Sequence, residues 1–255
     1  MIVGIDVGNT AIKIAIDTQD DVKVLRVANR QTIPDTSRLL VDLAEQHSRL
    51  DVRVASVNRT AASELIDATQ QLDGGQMNKG RIDFRRITRV DLPIEVATDH
   101  PDRVGIDRLV GAFGASSAYP LPLVIVDAGT TVTVDLVDEK GTYRGGAIIP
   151  GLEMQTAALA SGTDALPHLD WQTACDDSAT QTGTNTAAAI RLGILSSVVG
   201  GIERLVRLYG SPKHVVVTGG DSELIATTLQ NTSCRDFDVH HHPHLVCRTL
   251  ATLKE

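Results

Sequence analysis

Apolar residues follow two different rhythms along this chain. Residues 1–5 form an almost continuous apolar run, as in a strand covered on both faces, and residues 11–16 alternate, placing Ile12, Ile14 and Ile16 on one side. The Gly/Asn-containing stretch 6–10 joins them into a predicted hairpin. Residues 22–27 read as a third strand. Over 35–50 the spacing becomes helical (Leu39, Leu40, Leu43) after a Thr36/Ser37 capping region, and 52–57 returns to strand. The order β-β-β-α-β departs from the strict βαβ alternation of a parallel nucleotide-binding sheet.

Residues 60–71 read as a short helix and 72–80 as a Gly-rich polar connection. An Ala/Gly-rich helix over 105–119 is stopped by Pro120 and Pro122. The opening pattern then returns: a buried strand at 123–126, a turn at 127–130, an alternating strand at 131–137, a turn at 139–142 and a third strand at 143–149. IDVGNTAIKIAI at 5–16 and VDAGTTVTVDLV at 126–137 are thus an internal repeat, each copy opening one half of the chain. The expected division is 1–116 and 117–255. Helices at 151–160 and 184–208, a strand at 214–217, a Gly219-Gly220 turn, a helix at 222–228 and a short element at 244–254 complete the pattern.

Composition narrows the class. The chain has 255 residues, 42% hydrophobic and 22% charged, which suits a folded globular protein and neither a disordered nor a membrane one. A net charge of -8, with no long Lys/Arg run, makes nucleic acid an unexpected partner. No stretch approaches the roughly 18 apolar residues of a membrane span, and the apolar start lacks the basic flank of a secretion signal. Cys175, Cys234 and Cys247 show no metal-knuckle or paired spacing, so a reducing cytoplasm is the expected setting. With aromatics at 3%, the core must come from Val, Ile, Leu and Ala.

Turns centred on glycine let backbone N–H groups converge on phosphate oxygens, and a neighbouring carboxylate can hold a cation. Either Asp-x-Gly turn alone reads as an ordinary hairpin; the pair points to a polyphosphate. No Gly-Lys dipeptide is present, which excludes a Walker A loop, and no G-x-G-x-x-G follows a strand. Thr218-Gly219-Gly220 is a third glycine turn, flat enough to lie against an adenine or ribose. Asp107, in Gly105-Ile106-Asp107-Arg108, reads equally as a helix cap or as a general base, with Arg108 as an anion fork. The run His240-His241-His242-Pro243-His244 reads as an exposed connection rather than a metal site. Trp171 and Tyr209 read as packing residues, and Lys13, on its own, as an exposed strand residue.

Taken together, these motifs resemble the type III pantothenate kinases, within the actin, hexokinase and Hsp70-like ATPases. The resemblance spans nearly the whole chain. It rests on Asp6 to Thr10 with Lys13, Gly105-x-Asp107-Arg108, Asp127-x-Gly129-Thr130, Gly145-Gly146 through Pro150-Gly151, Ala165-Leu166-Pro167, Asn185-Thr186 and Thr218-Gly219-Gly220. It implies an α/β fold of two similar ribonuclease-H-like lobes, mixed sheets flanked by helices, with the nucleotide in the cleft between lobes. It also implies ATP-dependent phosphorylation of pantothenate to 4'-phosphopantothenate, the first step of coenzyme A biosynthesis.

Carried over by residue, the resemblance makes Asp6, Val7, Gly8, Asn9, Thr10, Ala11, Ile12, Lys13 and Thr130 ATP contacts. It makes Asp6 a Mg2+ ligand and Asp127 the ligand of a monovalent cation, potassium or ammonium. Asp107 becomes the general base, with Gly105, Ile106, Arg108 and Thr186 lining the pantothenate site. A homodimer, and no membrane or nucleic-acid partner, is expected. Many members carry Tyr where this chain has Thr98, which removes a ring from one wall of the acid pocket. Another small-molecule kinase, a phosphoanhydride hydrolase and a non-catalytic binding descendant are the competing readings.

Overall fold

A computed structural model of the chain describes residues 1–17, 22–29, 32–73, 81–171, 182–231 and 237–253. Its contacts group into two compact units, one drawn from Met1–Glu95, Asp99–Ala118 and His244–Glu255, the other from Val96–Thr98 and Tyr119–Pro243.

The first unit contains β1 (Ile2–Val7), β2 (Ala11–Asp17), β3 (Val22–Asn29), α1 (Ile33–Gln46), β4 (Leu50–Ser56), α2 (Arg59–Asp73), β5 (Ile82–Arg86) and α3 (Ile106–Ala118). Its sheet runs β3-β2-β1-β4-β5, antiparallel through the β1–β2–β3 meander and parallel from β1 to β4 to β5. Strand alternation sorts the two faces. Val3, Ile5 and Val7 join Ile12, Ile14, Leu40, Leu43, Leu65 and Val54 in one buried cluster beneath α1 and α2. Trimming a fully buried residue such as Ile5 to alanine would cost about 2–5 kcal/mol.

The second unit contains β6 (Leu123–Ala128), β7 (Thr131–Val137), β8 (Tyr143–Pro150), α4 (Leu152–Gly162), α5 (Thr186–Leu208), β9 (His214–Thr218), α6 (Ser222–Asn231) and β10 (Asp238–His241). The sheet order β10-β9-β6-β7-β8 is the first order read from its other edge, with the same parallel and antiparallel pairings. The repeat seen in the sequence is therefore a repeat of topology. Val124, Val126, Val132, Val134, Val215 and Val217 pack against α5 and α6 through Ile194, Val198, Ile202, Ile225 and Leu229.

Four features differ from the sequence reading. Helix α1 begins at Ile33, with Thr32 as N-cap and Pro34 in the first turn, so Thr36 and Ser37 lie buried inside the helix instead of capping it. Strands β5 and β10 were not anticipated; both are edge strands whose apolar positions are interrupted by charged residues or histidines. The final helix, α7 (Leu245–Thr252), packs on β1, β2 and α3, with Cys247 and Ala251 against Ala15. Residues of 244–255 thus group with the first unit and Val96–Thr98 with the second, whereas the sequence reading divides the chain once, between 116 and 117. Cys175, Cys234 and most of the 72–80 connection lie outside the described residues.

Candidate active site

The first hairpin is closed by the Gly8 N–H donating to the Ala11 carbonyl at 2.9 Å. Asp6 stands directly opposite Lys13 in the β1–β2 register, and Lys13 Nζ lies 3.7 Å from Asp6 Oδ2 with the two side chains 17% and 11% exposed. Lys13 is therefore a half-buried partner of a buried carboxylate, not the exposed strand residue its position alone suggested. Asn9 and Thr10 project to solvent at the tip. Val7 and Ile12 point into the core at 0% exposure, so within the segment 6–13 these two have only backbone to offer a nucleotide.

The second hairpin is one residue tighter. The pair Val7↔Ile12 encloses Gly8, Asn9, Thr10 and Ala11, whereas Ala128↔Val132 encloses only Gly129, Thr130 and Thr131. The Gly129 N–H donates to the Thr131 carbonyl at 3.0 Å, the Gly151 N–H to the Thr130 carbonyl at 3.1 Å, and Thr130 itself is exposed. The residue opposite Asp127 becomes Thr133, a neutral side chain, and on the other flank of β6 it is Thr218.

The turn after β9 closes over this carboxylate. Gly219 has φ +104°, and a Cβ there would collide with the Ala128 carbonyl and stand 2.5 Å from Asp127 Oδ1, so only glycine fits. The Asp221 N–H donates to the Ala128 carbonyl at 2.9 Å. Burial, and then the charge of Glu153, push the Asp221 carboxyl above its ordinary value.

Asp107 occupies the first turn of α3, where the helix dipole favours an anion. Its Oδ1 accepts the Arg108 N–H at 2.8 Å. A Cβ at residue 105 would come within 2.6 Å of the same oxygen, so Gly105 keeps the space this carboxylate occupies. Asp107 is the second residue of α3 and accepts the N–H of the next residue, and the lack of a side chain at Gly105 leaves its carboxylate room in this position. Ile106 and Arg108 are half-buried beside it.

In the second unit Thr98 sits on the margin of β8. The Ala97 N–H donates to the Tyr143 carbonyl at 3.0 Å, Val96 bridges to Tyr143, and the Thr98 methyl lies against Gly145. Tyr143 is fully buried and its hydroxyl donates to Asp135 at 3.0 Å, anchoring this edge.

Thr186 is the exposed first residue of α5, next to the N-cap Asn185, whose side chain accepts the Ala188 N–H at 2.8 Å. It opens onto a groove of about 700 Å³ lined also by Gln155, Leu159, Leu166 and Ile190. Trp171 and Tyr209 act as packing residues: Trp171 Nε1 donates to Thr156 and Tyr209 Oη to the Val134 carbonyl at 3.2 Å, both against the second core.

The donors at Asp6 and Asp127 are hard oxygens, suited to Mg2+ and to an alkali cation. Among the described residues no group of three or more His, Cys, Asp or Glu side chains converges. The histidine run is no loose connection. His240 and His241 belong to β10, His240 Nε2 lies 3.0 Å from His214 Nδ1 with Tyr119 stacked 4.4 Å from its ring, and the His242 N–H donates to the Val217 carbonyl. His241 and Ser222 are in contact, a relation no linear spacing reveals.

The type III pantothenate kinase family model matches residues 2–208. A protein of Rhodopirellula baltica named type III pantothenate kinase is 44% identical, covering 98% of this chain and 97% of its own length. One of Persephonella marina with the same name is 31% identical, covering 90% and 91%. Among solved structures, a ROK family glucokinase from Streptomyces griseus in complex with glucose and AMPPNP superimposes with a TM-score of 0.51 at 11% identity, over 99% of this chain and 98% of that one, a likeness of fold alone. No described helix is long and apolar enough to cross a membrane. A glycine-turn fold built twice, a carboxylate set at the head of α3 and near-complete coverage by such relatives lead to one assignment: the chain belongs to the type III pantothenate kinases.

Proposed function

We propose that Asp107 is the general base in the ATP-dependent phosphorylation of pantothenate to 4'-phosphopantothenate, the first step of coenzyme A biosynthesis, which membership of this family gives the chain. The observation that carries the proposal is the pairing of Gly105 with Asp107: one residue leaves space for the carboxylate, and the Arg108 N–H donates to it. Phosphoryl transfer asks little covalent chemistry of the protein and much alignment. Asp107 takes the proton of the substrate hydroxyl as that oxygen bonds to the γ-phosphorus and ADP leaves. Gly105, Ile106, Arg108 and Thr186 form the pantothenate contacts, with Arg108 the group suited to the substrate carboxylate.

For the nucleotide, the first unit contributes the Gly8–Thr10 backbone and Lys13, whose position beside Asp6 supports a phosphate-facing charge. The second unit contributes Gly129 and Thr130. Asp6 is the residue that would hold Mg2+, directly or through water, and Asp127 the one that would hold potassium or ammonium. When bound, these cations offset charge on the phosphate oxygens. The same proposal includes a homodimer and a cytoplasmic setting, both carried over from the family resemblance.

The test is phosphopantothenate formation with ATP, Mg2+ and K+. Asp107→Asn is expected to keep ATP binding and to lower kcat by about 10²–10⁴. A turnover within a few-fold of the wild type removes Asp107 from the role. ATP consumption that ignores pantothenate would instead favour a hydrolase.

A further inference from the structure

The histidine run plays no part in the proposed chemistry, yet one of its members reaches the third glycine turn. We infer that His241 and Ser222 are positioning residues for the nucleotide, holding the Gly219 carbonyl, and with it the Thr218-Gly219-Gly220 turn, through two consecutive hydrogen bonds. The inference rests on the reading that this turn lies against ATP.

The protons decide the direction of the relay. Ser222 Oγ donates to the Gly219 carbonyl at 2.7 Å. A serine hydroxyl has a single proton. Toward His241 Nε2, 3.0 Å away, the same oxygen must therefore accept, so His241 carries its proton on Nε2. Ser222 is 2% exposed, which leaves its hydroxyl no water to fall back on, while His241 is exposed on the edge strand β10. The turn needs such support. Gly219 holds a positive φ that glycine alone reaches freely, and a methyl built on Gly220 meets no atom within 4 Å. Neither glycine has a side chain to anchor it. The turn is fixed from one flank by the Asp221 N–H on the Ala128 carbonyl, and from the other by Ser222 and His241. Because Gly219 packs on Asp127, a shift of its carbonyl reaches the carboxylate as well.

The experiment compares His241→Leu, His241→Gln, Ser222→Ala and Gly220→Ala with the wild type in steady-state kinetics for ATP and for pantothenate, with melting curves alongside. His241 is exposed, so its variants are expected to fold. His241→Leu should raise KM for ATP about fivefold and leave KM for pantothenate unchanged. His241→Gln, whose amide N–H can still donate, should return KM for ATP to within about twofold of the wild type. Ser222→Ala should act in the same direction and more strongly, about tenfold. Gly220→Ala places a methyl in the open space by the turn and should also raise KM for ATP. An unchanged KM for ATP in Gly220→Ala overturns the turn as a nucleotide contact. A raised value there with no change in His241→Leu, or with equal changes in His241→Leu and His241→Gln, overturns the relay alone.

Discussion

The two Asp-x-Gly hairpins align in sequence without a gap, yet they are not the same device. In the first, a four-residue turn places Lys13 across from Asp6, and the carboxylate sits in a close ion pair. In the second, a turn one residue shorter places Thr133 across from Asp127, and the flat backbone of Gly219 covers the acid. A shift of one residue in pairing exchanges which side chain faces which. The duplicated motif thus yields two surroundings: Asp6 faces an ammonium across its hairpin, whereas Asp127 faces the threonines Thr133 and Thr218 on the two neighbouring strands. The symmetry of the repeat is kept in the sheets and given up at the turns.

That contrast can be broken most severely at the first hairpin. Asp6→Asn strips the charge partner from a half-buried lysine and is expected to lower kcat by about 10²–10³, read in the phosphopantothenate assay. A loss below tenfold would make the two acids equivalent. At the second hairpin, Asp127→Ala should reduce turnover in potassium about tenfold and abolish the difference between potassium and sodium buffers. Equal rates in both buffers for the wild type would remove the cation role.

A finer probe moves the lysine itself. Thr133→Lys recreates in the second hairpin the pairing found in the first, so activity should become indifferent to potassium while falling only about threefold. Persisting dependence on potassium would place the cation away from Asp127. The smallest expected effect concerns the His214–His240 pair on the second sheet. His240 is held below the ordinary histidine value by burial and then by the charge of His214, against the opposing Asp238. Its folded form resists the proton that the unfolded chain accepts near pH 6.5, so this contribution to stability is present above that pH and is lost as pH falls below it. Between pH 7.5 and 5.5 the wild type should lose about 2 °C more in melting temperature than His240→Gln.

Much of this was legible in the chain. Strands β1, β2, β6 and β7 announce themselves because each pair joins a buried run to an alternating one, with a glycine turn between them. Strand β5 hid because IDFRR offers only Ile82 and Phe84 to the core, and β10 because DVHH hides its alternation among histidines. The unequal turns were invisible because an ungapped alignment cannot report a change of hydrogen-bond register. The segment 6–13 was legible as a unit, but which of its side chains are available was not: burial of Val7 and Ile12 follows from strand alternation against α1 and α2, a tertiary fact. The His241–Ser222 contact spans 19 residues and depends on how β10 lies beside β9.

Helix α7 has a consequence for the order of events during synthesis. The strand bearing Asp6 leaves the ribosome well before the helix that covers its second face, which is encoded more than two hundred residues later. Until residues 245–252 emerge, that face of β1 and β2 must wait in an unfinished state, while the second unit, whose segments lie wholly between 96 and 243, already has every part it needs. Nascent chains halted before α7 should therefore expose the earlier-made half to proteases and chaperones and leave the later-made half resistant.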